Sequence, residues 1–531
     1  MRQNFSFSLL VDTGQLTFDL MTKPIFSVII PLEFHRGQWE RCWLGWQAQT
    51  VTKAQYEIIL VVPPDFPERD KLPALLGPRD RLEYSDEKHD VALSAIGAAR
   101  ARGQFLFFTE SHCWPEQDVL EKCLQAFVTH PEWVAFSCRS IRITHNRLSN
   151  AEADMYEADI EFGMKKHPWR KILDQCFVTR RDVYEECGGW KAELGHFAEW
   201  ALAANYAGLG YKIGYVPEAR VHHYYVGQLS ELRTFTRDFV TGETRYFAKS
   251  AHEPGRHLLE VPDELISQGS RNRQLAQGLL RISAYDIFAP SISRLRQPLR
   301  FLRTTMHWLV IAIAGQGPAL SAAAAKVGGA WIMMRFTILA GSKFGVSSAL
   351  KSYIAALIHH QRLACLKLQR GIGTRTAVTP RTDSTLEWDV FAPQNAGFYR
   401  IETYKGTRFR WSEPAAMMSV LMEKGRHQIS VECMPFRKLV RAGLRFYVNE
   451  RPIPAQDVSI GPECIEITFD LAQSGQCTFG WTCLQYRAPK GDPRWLGLPI
   501  KAIWPKSDAQ LALPLVTELD WHVKKSLEEV G

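Results

Sequence analysis

Between Pro24 and His252, short continuous apolar runs alternate with stretches of helical spacing, and no other feature constrains the fold as much. Ser27-Val28-Ile29-Ile30-Pro31, Tyr56-Glu57-Ile58-Ile59-Leu60-Val61-Val62 and Gln104-Phe105-Leu106-Phe107-Phe108 are apolar at nearly every position. A strand with one wet face alternates polar and apolar residues; one covered on both faces does not. Between these runs, 39–49 and 92–102 place apolar residues at helical intervals. The order predicts an α/β, doubly wound sheet, whose ligands bind beyond the carboxyl ends of its strands.

At 531 residues the chain exceeds one hydrophobic core, so further domains are expected. From 253 to 370 the strand signal gives way to a helical pattern. A basic cluster, Arg294, Arg296, Arg300 and Arg303, precedes a charge-free run over 306–325. Twenty residues suffice to span a bilayer. His307, Gln316, Gly317 and Pro318 interrupt the run, so a peripheral helical hairpin at a membrane surface, or a buried helix pair, fits better. A Thr/Arg/Gly-rich linker is expected at 371–384, an all-β sandwich at 385–505 and a tail at 506–531. The sandwich is read from short alternating segments such as His427–Glu432, Leu444–Asn449 and Ile465–Phe469, separated by turn residues.

The net charge of +8 is mild and dispersed, which argues against a nucleic-acid partner. Eleven cysteines, an odd number without a CxxC pair, fit a reducing compartment better than a disulfide framework. The first 22 residues lack the layout of a signal peptide. The expected location is cytoplasmic, or the cytoplasmic face of a membrane. No Gly-x-Gly-x-x-Gly follows the first strand and no P-loop is present, which disfavours dinucleotide and P-loop enzymes.

Past the strand 105–108 the chain reads Thr109-Glu110-Ser111-His112-Cys113-Trp114-Pro115. A carboxylate and an imidazole two residues apart can reach one cation from a loop, and this donor pair suits Mn²⁺ better than Ca²⁺. Glu-x-His also occurs in ordinary loops. A second landmark runs Gly188-Gly189-Trp190, Ala198-Glu199-Trp200, Gly210-Tyr211 and Val216-Pro217-Glu218-Ala219-Arg220-Val221-His222-His223. Glu199 near a helix start, with the aromatic Trp200 beside it, suits a general base once burial raises its pKa. It equally suits an exposed first-turn acid favoured by the helix dipole.

Together these landmarks resemble family 2 of the glycosyltransferases, of GT-A fold, over residues 24–250. Ser27–Pro31 matches the family's opening strand, and Gly103–Thr109 its Gly-Glu-Tyr-apolar strand. Glu110-Ser111-His112 falls on the Asp-x-Asp motif, with Pro115 and Leu120 after it. The resemblance implies that Glu110, His112 and His223 face a divalent cation, Mn²⁺ or Mg²⁺, and the donor diphosphate. It places Glu199 on the second acid of the family's acidic pair, where the base sits, with Ala198 in place of the first. It further implies inversion at the anomeric carbon, a nucleotide-sugar donor, and a glycan or lipid-linked acceptor in surface polysaccharide or lipopolysaccharide assembly.

The match thins at the nucleotide. The Asp pair after the second strand is reduced to Asp65, and Leu93-Ser94-Ala95 replaces Ala-Arg-Asn, removing an Arg. Arg100 and Arg102 read as solvating residues, and Glu33 as a candidate for the nucleotide pocket. These losses keep open a non-catalytic carbohydrate-binding or scaffold protein on a degenerate transferase domain. In the β-rich half, Trp388, Trp411 and Trp481 are candidate sugar-stacking platforms, or ordinary strand packing.

Overall fold

The computed structural model describes residues 23–249, 252–266, 273–288, 298–313, 318–341, 345–368, 388–436, 440–441, 443–484, 486–487 and 494–507. The 371–384 linker, the tail beyond 507, the N-terminal 22 residues, Arg294 and Arg296 lie outside them. The chain divides into two compact units, Met1–Glu260 with Thr337–Ile358, and Val261–Phe336 with His359–Gly531.

In the first unit, β1 (Phe26–Pro31), β2 (Tyr56–Val62), β3 (Arg81–Tyr84), β4 (Phe105–Phe108), β5 (Cys113–Pro115), β6 (Trp133–Ile143), β7 (Phe177–Arg180) and β8 (Lys212–Tyr224) form one sheet, in the order β3-β2-β1-β4-β7-β6-β8-β5. The first four strands in this order run parallel. β7 is antiparallel to both β4 and β6, β8 is parallel to β6, and β5 is antiparallel to β8. The α/β expectation is met by a mixed sheet.

Its helices include α1 (Trp39–Gln47), α2 (Asp90–Arg100), α3 (Val119–Thr129), α4 (Arg147–Lys166), α5 (Arg181–Glu186), α6 (Ala198–Gly208) and α7 (Leu229–Lys249). Successive residues of the central strands feed opposite cores, as the twofold period of a strand requires. Val28, Ile30, Ile58, Leu60, Phe105 and Phe107 pack with Trp43 and Trp46 of α1 and Phe127 of α3. Ile29, Ile59, Val61, Leu106 and Phe108 pack with Leu93 of α2, Tyr184 of α5 and Leu202 of α6. Each such side chain contributes about 1.5–3 kcal/mol on burial, so both faces of β1, β2 and β4 are committed to the interior.

Glu57 is the charged exception within these runs and is fully buried. An unpaired carboxylate there would be strongly destabilising. Its oxygens accept from Ser27 Oγ at 2.6 Å, the Arg102 backbone N–H at 2.7 Å and Arg102 Nε at 2.7 Å. Arg102, expected to solvate a helix, is therefore the counter-charge of a buried acid.

β1 lies between β2 and β4, so the chain leaves it in opposite directions across the sheet. The carboxyl ends of β1 and β4 bound a crevice at that reversal, the place where such sheets bind ligands.

The second unit carries α8 (Asp263–Ile266), α9 (Arg273–Phe288), α10 (Pro298–Ile313) and the first part of α11 (Pro318–Ala340); α12 (Gly345–Leu368) ends in it. The charge-free run 306–325 is thus divided between α10 and α11. Among the described residues no helix is long and apolar enough to cross a membrane.

The β-rich part comprises β9 (Ala396–Tyr404), β10 (Thr407–Met422), β11 (Gly425–Cys433), β12 (Arg445–Val448), β13 (Arg451–Pro452), β14 (Val458–Ile460), β15 (Cys464–Leu471), β16 (Gly475–Thr482), the short pair β17 (Tyr486–Arg487) and β18 (Trp495–Leu496), and β19 (Pro499–Ser507). Nine of these form one antiparallel sheet. Its halves are joined where β10 exchanges β19 for β16 as partner, and where β19 exchanges β10 for β11. Strands that change sheets in this way make the corners of a sandwich. One core receives Met418, Ile429, Phe446, Ile467 and Phe479. Trp481 is fully buried in it, its Nε1 3.3 Å from Ser412 Oγ, so it is no platform for a sugar. Trp388 packs edge-on against Phe479.

Candidate metal and substrate cleft

β4 ends at Phe108, and Thr109 and Glu110 follow it into the crevice. The three-residue strand β5 then pairs with the end of β8, Cys113 opposite His223 and Trp114 opposite His222. This pairing brings residues 110 positions apart to one place. His112 Nε2 lies 3.2 Å and His223 Nε2 3.8 Å from Glu110 Oε2, and the two rings are 5.3 Å apart. The Cys113 thiol lies 3.8 Å from the same oxygen. His222 points to the other side of the strand and stacks on Trp114.

The three residues fit a divalent cation. Both histidines are buried, and neither ring nitrogen of His112, nor Nδ1 of His223, has a hydrogen-bond partner of normal geometry. Buried polar atoms are seldom left so. Burial, then the Arg36 guanidinium, holds His112 well below the usual imidazole range; burial, His112 and Arg36 do the same to His223. Both rings are therefore neutral, the form that ligates metals. Burial also pushes the Glu110 carboxyl up to about 7, against the pull of Arg36. A cation among these atoms would reverse that preference.

Arg36 was not evident from the sequence. It sits in the loop after β1, at φ +48°, beside Phe34 at +45° and Gly37 at +72°. Non-glycine residues in this region are uncommon and concentrate at functional sites. Its Nε donates to Glu231 of α7 at 2.7 Å and its Nη1 to the Tyr224 carbonyl.

Glu199, in the first turn of α6, lines the same cleft as Glu110, with Pro31, Asp90, Ser94, Phe108, Asp174 and His196 among its other walls. The sequence singles out Glu199 alone at this wall; the structure sets Asp174 near it. Asp174, from the turn Asp174–Cys176, stands in the field of Glu199. Burial first, then Asp174, lifts the Glu199 carboxyl well above the usual range; burial, then Glu110 and Asp90, does so for Asp174.

The remaining candidates are not among the lining residues of this cleft. Glu33 accepts the Asp90 backbone N–H at 2.9 Å, and its carboxyl is pushed to about 9 by burial and by Asp90. Asp65 is exposed and paired with Lys88 at 2.9 Å. Trp200 lies under the Arg170 guanidinium, 3.5 Å from its ring centre, and outside the lining of the cleft. Ser94, on the position matched to the family's Arg, does line it.

No protein-family model and no curated protein matches the chain. Solved structures to which it is similar include the mannosyltransferase PcManGT from Pyrobaculum calidifontis in complex with GDP-Man and Mn²⁺, at 17% identity over 67% of this chain and 90% of that one, TM-score 0.38. S. aureus TarS 1–349 in complex with UDP is 11% identical over 72% and 95%, TM-score 0.30. GalNAc-T7 with UDP, GalNAc and Mn²⁺ is 15% identical over 43% and 52%, TM-score 0.31. Similarity at this level assigns no activity to this chain.

Proposed function

We propose that the first unit is a metal-dependent, inverting glycosyltransferase that moves a sugar from a nucleotide-sugar donor to a hydroxyl of a glycan or lipid-linked acceptor. One observation carries this reading: Glu110, ringed by His112 and His223, shares a cleft at the sheet's reversal point with Glu199. Glu110, His112 and His223 would hold the divalent cation, Mn²⁺ or Mg²⁺, whose charge offsets that of the leaving diphosphate. Glu199, held at the start of α6, takes the proton of the acceptor hydroxyl as it attacks the anomeric carbon. Asp174 raises the basicity of Glu199 by its proximity. The buried surroundings exclude water that would otherwise compete for the donor.

The test is turnover of a panel of nucleotide sugars with Mn²⁺ by the full-length protein and by Glu199→Gln. Loss of a general base lowers the rate by about 10²–10⁴-fold. Equal turnover by Glu199→Gln would remove the base assignment. No turnover with any donor, alongside binding detected by thermal shift, would favour the non-catalytic reading.

A further inference from the structure

Among the described residues a second group of metal-ligating side chains stands beside the cleft: His89, His196 and Asp238. They come from three elements. His89 immediately precedes α2, His196 lies in the turn Ala192–Phe197 before α6, and Asp238 projects from α7. His89 Nε2 is 3.0 Å and His196 Nε2 3.9 Å from Asp238 Oδ2. The opposite ring nitrogens turn to another carboxylate. His89 Nδ1 is 2.9 Å from Asp90 Oδ1, and His196 Nδ1 is 3.7 Å from Asp90 Oδ2.

Asp90 thus stands behind the His89 imidazole, whose Nδ1 also lies 3.2 Å from the Val91 N–H, while the 3.7 Å from Asp90 to His196 Nδ1 is an electrostatic contact rather than a hydrogen bond. A carboxylate behind an imidazole, fixing its tautomer and orientation, is the usual support of a metal-bound histidine. The supporting frame is specific. The His196 backbone N–H donates to Asp238 Oδ2 at 2.7 Å. Gly195 holds φ +50°, ψ −144°, and a Cβ there would lie 2.1 Å from Asp238 Oδ2. The Asp90 carboxylate accepts the Val91 N–H at 2.7 Å, while Glu33 holds the Asp90 N–H.

An ion pair of His89 with its two carboxylates accounts for His89, and the His196 ring packs on Phe235 and His89, which leaves its Nε2 facing Asp238 without a hydrogen bond to it. At 3.9 Å, His196 Nε2 is too far from Asp238 Oδ2 for a hydrogen bond. Ligands held at roughly 2.0–2.2 Å from one ion lie at most about 4.4 Å apart. The three donor atoms lie within 4.8 Å of one another, so a small closure suffices.

We propose that His89, His196 and Asp238 form a second cation site, positioned by Asp90. Two imidazoles and one carboxylate select a transition-metal dication, such as Mn²⁺, Co²⁺ or Zn²⁺, over Mg²⁺ or Ca²⁺. Ion binding here stands independently of the transferase reading. Its use rests on that reading: Asp90 and His196 line the cleft with Glu110 and Glu199, so the ion adds positive charge where a diphosphate would sit.

The experiment counts ions on the full-length protein, by Mn²⁺ titration followed through the paramagnetic resonance of free ion and by Co²⁺ titration followed through visible absorption. Variants are Asp238→Asn, which retains an acceptor for the His196 N–H, His196→Gln, and the double variant Glu110→Gln/His112→Gln. Two ions are expected for the wild type, one for each variant at one site, and none when the changes are combined. Asp90→Asn should weaken the second ion by about 10–100-fold without changing the count at saturation. The site is overturned if Asp238→Asn and His196→Gln, with unchanged circular dichroism, bind as many ions as wild type, or if wild type binds none. A single wild-type ion lost only in the Glu110/His112 variant overturns the second site and leaves the first. A single ion lost only in Asp238→Asn does the reverse.

Discussion

Glu199 and Asp174 place two carboxyls in one another's field on the cleft wall. Both are held above the usual carboxylate range, by burial first. An acid whose folded pKa is raised favours folding less as pH rises through the window between its unfolded and folded values. The same shift requires a transferase using Glu199 as base to gain activity with pH, along a limb that begins above the ordinary carboxylate range. Asp174→Asn removes one charge from this pair, so the acid limb of kcat/KM against pH should move to lower pH. An unmoved limb would mean that Asp174 does not set the basicity of Glu199.

What the sequence disclosed at this scale followed from chain proximity. Glu110 and His112 are two residues apart past a strand end, and His223 ends the Val-Pro-Glu-Ala-Arg-Val-His-His run. Asp174, Asp90, His196 and Arg36 each reach the cleft, or the cluster beside it, from an otherwise unremarked loop or helix start, with no local pattern to separate them from solvated residues.

Two glycines separate packing from backbone strain at the scale of elements. Gly242 on α7 meets the turn Ala192–Phe197 so closely that a Cβ would lie 1.6 Å from the Leu194 carbonyl oxygen. Gly210, after α6, has φ +85° and nothing within 4 Å of a Cβ. Gly210→Ala should cost only the left-handed conformation, about 1–2 kcal/mol. Gly242→Ala must push α7 off the turn that carries His196 and leads into α6. Its cost should exceed that of Gly210→Ala, with a fall in activity that Gly210→Ala does not share. Urea unfolding of both variants, with m-values compared, checks this; equal losses would show that α7 yields freely.

Elements with strong periodicity were legible in the chain: β1, β2 and β4 as continuous apolar runs, α1 and α2 by helical spacing. β5 was not, because three residues carry no period, and it is β5 that registers His112 against His223. The run 306–325 is charge-free, but Gln316, Gly317 and Pro318 mark a break in it, and α10 stops at Ile313 while α11 begins at Pro318.

At the scale of the whole chain, each unit has its own interior. The sheet of the first unit feeds two cores, and the β-rich part of the second feeds another, around Phe479 and Trp481. A ligand that binds only the folded form stabilises the unit that holds it by RT ln(1 + [L]/Kd), about 2.7 kcal/mol at a hundredfold excess over Kd. If the cleft receives a nucleotide sugar with Mn²⁺, calorimetry of the full-length protein should resolve a transition that rises with ligand and one that does not. Ile467 is fully buried on β15, so Ile467→Ala should lose about 2–5 kcal/mol and lower only the ligand-insensitive transition. Glu110→Gln should abolish the ligand-dependent rise while leaving the Ile467→Ala effect intact. A single transition moved alike by ligand and by Ile467→Ala would show that the two units unfold as one, and the division of the chain into a ligand-sensitive unit and a separately stable β-rich unit would have to be abandoned.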